Sequence, residues 1–160
     1  MSTAGEPPLS ARRAARLAVV QALYQMDIAG TDLNDVIGEF LSFRLTPDAE
    51  DQTLAHADRQ LFADVLRGVL RRQREIDPQI DRQLAEGWRL TRIDSILRAI
   101  LRAGVWELLE RPDIPWRVVI TEYLEVAKSF LDDDGPRVVN GILDRLARQI
   151  RQDASKKDGP

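Results

Sequence analysis

Ile93–Leu109 reads IDSILRAILRAGVWELL, and its apolar side chains recur at Ile93, Ile96, Leu97, Ile100, Leu101, Val105 and Leu108. Steps of three and four residues place all of them along one face of an α-helix, whereas a half-buried strand would alternate at every second position. Arg111-Pro112-Asp113-Ile114-Pro115 stops this helix and starts the next, with Pro115 where a first-turn proline is tolerated. Downstream, Val118, Val119, Tyr123, Val126, Ala127 and Phe130 predict a sixth helix. Val138, Val139, Ile142, Leu143, Leu146 and Ile150 predict a seventh, opening at Pro136. Upstream, Ile80 and Leu84 mark a short fourth helix between a break at Asp77-Pro78 and Gly87. The third opens near Asp58 and carries Leu61, Phe62, Val65, Leu66, Val69 and Leu70, after an acidic loop over 45–57. Asp32 caps a second helix with Val36, Ile37, Phe40 and Leu41 facing inward. Ser10 caps the first, which buries Leu17, Val20, Tyr24 and Ile28, offers the small face Ala11, Ala15, Ala18 and Ala22, and ends at Gly30. No segment alternates with a period of two, so the fold class is all-α, a seven-helix bundle.

Composition removes whole classes of function. The 160 residues include no Cys and one His, which excludes disulfides, thiolate nucleophiles and Cys-type zinc sites, and leaves His56 unable to form a zinc-binding pair alone. Apolar runs are only a few residues long, far short of the ~18 needed for a membrane span. A cytoplasmic protein with no membrane association is therefore expected. Glycines are scattered, with no phosphate-binding loop and no nucleophile elbow. Asp132-Asp133-Asp134-Gly135 fails as a calcium loop, because loop position one would be Phe130 and position twelve Gly141. It reads as an acidic first turn for the last helix. No enzyme, metal or cofactor is expected.

The formal net charge of -3 hides an uneven distribution. Residues 1–26 sum to +2, 27–64 to -7, 65–111 to +3, 112–135 to -4 and 136–160 to +3, and 20 of the 23 cations are Arg. Arg12, Arg13 and Arg16 cluster at the start of the first helix, with no acid between Pro7 and Met26. Guanidinium groups bind phosphate through paired hydrogen bonds and stack on unpaired bases, so this end suits single-stranded nucleic acid. A solvated helix end is the plainer alternative. Tyr24, at a core-like spacing, reads by itself as packed.

The stretches Ala11-Arg12-Arg13-Ala14-Ala15-Arg16 and Val20-Gln21-Ala22-Leu23-Tyr24-Gln25 resemble the opening helix of the NusB family of bacterial transcription antitermination factors. The likeness continues through Arg111-Pro112-Asp113-Ile114-Pro115, Ala127-Lys128-Ser129-Phe130 and Val139-Asn140-Gly141-Ile142-Leu143-Asp144. This resemblance implies two packed helical subdomains, at about 10–74 and 75–152 of one domain spanning 10–152; outside it, the Pro-Pro and the lack of apolar periodicity in 1–9 predict a flexible tail, and a disordered one is expected over 153–160. It implies no enzyme activity. It also implies pairing with the ribosomal protein NusE, binding of boxA-type single-stranded RNA of ribosomal RNA leaders, and membership of the antitermination complex on elongating RNA polymerase. Carried over residue by residue, it assigns RNA binding to Arg12, Arg13, Arg16, Tyr24 and Asp134. NusE binding falls to Tyr24, Asp134 and the position of Leu97, where some relatives carry an acid that Asp94 could replace. Three arginine contacts would give a log-log salt slope of about -2. Two alternatives are an RNA-binding module related to the N-terminal domains of ribosomal RNA methyltransferases and a homodimeric helical scaffold.

Overall fold

The computed structural model describes residues 10–132 and 134–157. Among these the regular structure is helical: α1 (Ala11–Ala29), α2 (Leu33–Glu39), α3 (Arg59–Asp81), α4 (Ser95–Glu110), α5 (Trp116–Phe130) and α6 (Asp134–Lys157). Short π-helical and 3-10 turns follow α2 and precede α3 and α4. The opening stretch becomes α4, and Asp94 starts it by accepting the N–H groups of Ile96 and Leu97 at 2.8 and 3.1 Å. This helix is the centre of the bundle, packed by α1, α3, α5 and α6. Its position explains its composition: Ile100, Leu101, Val105 and Leu108 have at most 1% of their surface exposed.

α1 begins as predicted, with the Ser10 hydroxyl accepting the Arg13 N–H at 3.1 Å, and ends at Gly30, whose φ of 68° is the left-handed step that glycine takes without strain. The expected seven helices are six. Pro78 does not end α3, although it lacks an N–H and its ring crowds the carbonyl four residues back. The backbone instead yields upstream, at Arg72, which leaves helical geometry with φ -108° and ψ 15°. Burial holds the helix together beyond the kink, since Ile76 and Ile80 are fully enclosed and Arg102 of α4 grips the Asp77 carboxylate through two bonds of 2.9 Å. The anticipated fourth helix is thus the end of α3 followed by a turn through Leu84 and Gly87.

Two further differences concern the C-terminal segment. α6 opens at Asp134, two residues before Pro136, and continues to Lys157, so the tail expected to be disordered from 153 is helical over 153–157. Residues 1–9 and 158–160, where the remaining tails were expected, lie outside the described residues. Arg151 closes the end of α4 from α6, donating to the carbonyls of Leu108, Arg111 and Ile114 at 3.0, 3.1 and 3.1 Å. At the α3–α4 crossing, Gly68 lies directly against the indole of Trp106, where no side chain would fit. Among the described residues no helix is long and apolar enough to cross a membrane.

Candidate binding surface along the first helix

The three arginines at the start of α1 have three different environments. Arg12 is exposed, beside a shallow depression that it lines with Asp58, Gln60, Asp64 and Arg111. Arg13 is half-buried and reaches across to α5, where its Nε donates to Glu122 at 2.7 Å. That hydrogen bond raises the Arg13 pKa, and the pair still leaves part of the guanidinium facing solvent.

Arg16 is 2% exposed, so the expectation that it touches RNA is corrected. Its Nε and Nη2 meet the Glu107 carboxylate at 2.9 and 2.8 Å, and Glu107 is itself fully buried. The Tyr123 hydroxyl donates to the same carboxylate, and the Arg16 guanidinium stands 6.0 Å from the Tyr123 ring centroid. Burial is the largest influence and opposes the charge on Arg16, but the paired bonds to Glu107 and the negative charge around it, Glu122 included, together outweigh it and its pKa is raised. A charged group so enclosed is bound to its partner, with no face left for a phosphate. Sequence reasoning missed Glu107 and Tyr123 as partners, although an acid on the inward stripe of one helix and an Arg on that of another were the available signal.

Burial, reinforced by the Glu107 charge, pushes the Tyr123 hydroxyl well above its ordinary value of about 10. The folded pKa is the higher one, so this contribution to stability is complete below about pH 10 and is lost as pH rises through the folded value. Alkaline unfolding followed by circular dichroism should show that loss in the wild type, and Tyr123→Phe should remove it.

Further along α1 the surface turns apolar. Tyr24, 40% exposed instead of packed, lines an open groove with Ile28, Ile96 and Phe130, and Gln21, Gln25 and Arg44 are among its other walls. Arg44 is oriented there by a 2.9 Å bond to Gln21 and by stacking 4.4 Å from the Phe40 ring centroid. Arg44, Ile96 and Phe130 were not among the predicted site residues. Leu97 was, and it is 8% exposed with its side chain in the core, so its neighbour Ile96 presents to the groove in its place. Asp94 and Asp134 are both exposed, Asp94 at the start of the helix that carries Ile96 and Asp134 four residues after Phe130. The structure thus brings Tyr24 into one surface with the ends of α4 and α5, and Tyr24 stands twelve residues along α1 from Arg12, about 18 Å.

The described residues thus form an all-helical bundle with an exposed arginine at one end of its first helix and an open, largely apolar groove toward the other. The NusB family model matches residues 13–148. The transcription antitermination protein NusB of Sinorhizobium fredii is 48% identical over 158 residues, covering 97% of this chain and 99% of that protein. The structure is similar to that of T. maritima NusB, with a TM-score of 0.73 and 33% identity over 89% of this chain and 94% of that one. It also shares its fold with NusB solved with NusE and double-stranded RNA, at a TM-score of 0.67, 20% identity and coverage of 86% and 96%. The chain belongs to the NusB family.

Proposed function

We propose that this protein is a transcription antitermination factor that binds boxA-type single-stranded RNA of ribosomal RNA leaders jointly with NusE, and that it acts in the cytoplasm on the elongating RNA polymerase. Relatives nearly half identical along almost the whole chain are transcription antitermination proteins, which supports the role. The observation that carries the reading is the layout of α1: exposed guanidinium at its N-terminal end, and Tyr24 in an apolar groove toward the other. Arg12 and the solvent-facing part of Arg13 take RNA phosphates. The groove of Tyr24, Ile96 and Phe130 seats NusE, with Asp94 and Asp134 offering negative charge to a basic ribosomal protein. The family resemblance assigns Tyr24 and Asp134 to both ligands.

With Arg16 withdrawn, two arginines give a log-log salt slope of about -1.4, since each phosphate contact to a single strand contributes about -0.7. Binding by this protein alone is therefore weak, and a partner that brings further cations strengthens it. Titration of a boxA oligoribonucleotide at several salt concentrations tests this. NusE should tighten binding, and equal affinity with and without it would remove the joint mechanism. Arg12→Ala should weaken binding and make the slope shallower by about 0.7, whereas Phe130→Asp should abolish the gain from NusE while leaving the slope of the protein alone unchanged.

A further inference from the structure

The surface along α1 makes no use of Trp88, which is 58% exposed in the turn between α3 and α4. This turn is anchored at several points. Leu90 is buried, its N–H donates to the Asp81 carboxylate at 3.0 Å, and its carbonyl accepts from Arg98 at 3.1 Å. From α6, Arg145 donates to the side chain and carbonyl of Gln83 at 2.9 and 3.2 Å. Gly87, with φ 86°, supplies the left-handed step that turns the chain just before the indole. The ring is therefore displayed on a fixed support, which removes much of the ordering cost of a contact.

The neighbouring charges are mostly positive. Arg82, Arg89 and Arg92 are exposed in the same segment and Arg145 adjoins it, against Asp81, Glu86 and Asp94. Arg89 is held only loosely, 3.8 Å from Asp81. Among the described residues, Trp88 is the one large apolar side chain exposed between α3 and α4. A protein-docking patch is built around an apolar centre of several residues. A lone indole among guanidinium groups instead matches an unpaired base with its flanking phosphates, because stacking needs one aromatic face and the backbone needs cations.

We propose that Trp88 is a base-stacking platform for single-stranded RNA, with Arg89 and Arg92 holding the adjoining phosphates; the inference rests on the RNA-binding function proposed above. Its place in the bundle gives it a defined part in that function. Asp27, near the C-terminal end of α1, accepts from Arg98 at 2.7 Å, and Arg98 also holds Leu90, so the Trp88 turn borders the end of α1 opposite Arg12. The 19 residues of α1 span about 28 Å at 1.5 Å each. That is about eight nucleotides of a stacked strand at 3.4 Å each. An RNA gripped by Arg12 and Arg13 reaches Trp88 only when it extends well beyond the core site.

Fluorescence anisotropy with a labelled 20-nucleotide oligouridylate at low salt tests the platform on the full chain. Trp88→Ala should weaken binding about tenfold, Trp88→Phe should stay within about threefold of wild type, and the thermal midpoint of both should be unchanged because the site is on the surface. Arg12→Ala, measured in parallel, reports on the α1 end. Wild-type affinity in Trp88→Ala alongside weakened binding in Arg12→Ala would overturn the platform and keep the RNA-binding function. No binding of the oligouridylate by the wild-type protein, alone or with NusE, would overturn the platform, while the boxA titration decides the RNA-binding function by itself. Loss of NusE binding in Trp88→Ala with RNA affinity intact would assign the turn to a protein partner and also end the proposal.

Discussion

Glu107→Ala is expected to cost about 3–5 kcal/mol of folding stability, because it leaves the Arg16 guanidinium buried without its counter-charge. The pair is enclosed on all sides, at 2% and 0% exposure, so solvent does not screen it and water does not replace the lost carboxylate without opening the bundle. Tyr123 loses its acceptor in the same variant, which adds an unsatisfied buried hydroxyl. Urea unfolding should show the loss as a lower midpoint at a similar slope. Removing all three polar groups at once, as Arg16→Met, Glu107→Met and Tyr123→Phe, should recover most of the stability, since well-packed apolar replacements carry no desolvation penalty. A Glu107→Ala protein as stable as wild type would show that Arg16 leaves the interior at little cost.

Gly68→Ala is expected to destabilise by about 1–3 kcal/mol, although alanine is the better helix former. An added Cβ falls inside the van der Waals envelope of the Trp106 indole, contacting Nε1, Cε2 and Cζ2. A flexible side-chain end could swing aside, but a rigid bicyclic ring held between helices moves only with the helices. α3 and α4 must therefore separate, and α4 is the element on which α1, α5 and α6 also rest. Thermal unfolding should show a clear drop in midpoint. The cost should shrink in a Trp106→Leu background, where the ring is absent, and that coupling identifies the clash as the cause.

Periodicity made most of the fold legible. Long amphipathic segments such as Ile93–Leu109 keep their register because one buried face dictates it, and the caps Ser10, Asp32 and Asp58 mark starts that the structure reproduces. The fourth helix was not legible, because the local penalty of Pro78 was offset by contacts distant in sequence, above all Arg102 with Asp77. For the site, the basic end of α1 was visible in composition. The division of labour within it was not, since Arg12 and Arg16 look equivalent until Glu107, 91 residues away from Arg16, is brought alongside. Tyr24 was misread in the opposite direction: its spacing fits the buried stripe, but no element covers that end of α1 and an open groove results. Leu97 and Ile96 differ by one position on a helix, about 100° of rotation, which decides which of them a partner meets.

The three carbonyls gathered by Arg151 also set an order of events during synthesis. Leu108 leaves the ribosome 43 residues before the side chain that closes over it. At 5–20 residues per second, this interval is roughly 2–9 s, far longer than a helix needs to form. Throughout it the Leu108 and Ile114 carbonyls lack the donor that closes over them, and the Arg111 carbonyl has the Ile114 N–H alone. The final turns of α6 therefore act as a latch that is made last, and a chain arrested before Arg151 would carry every helix of the bundle while its central corner remained open.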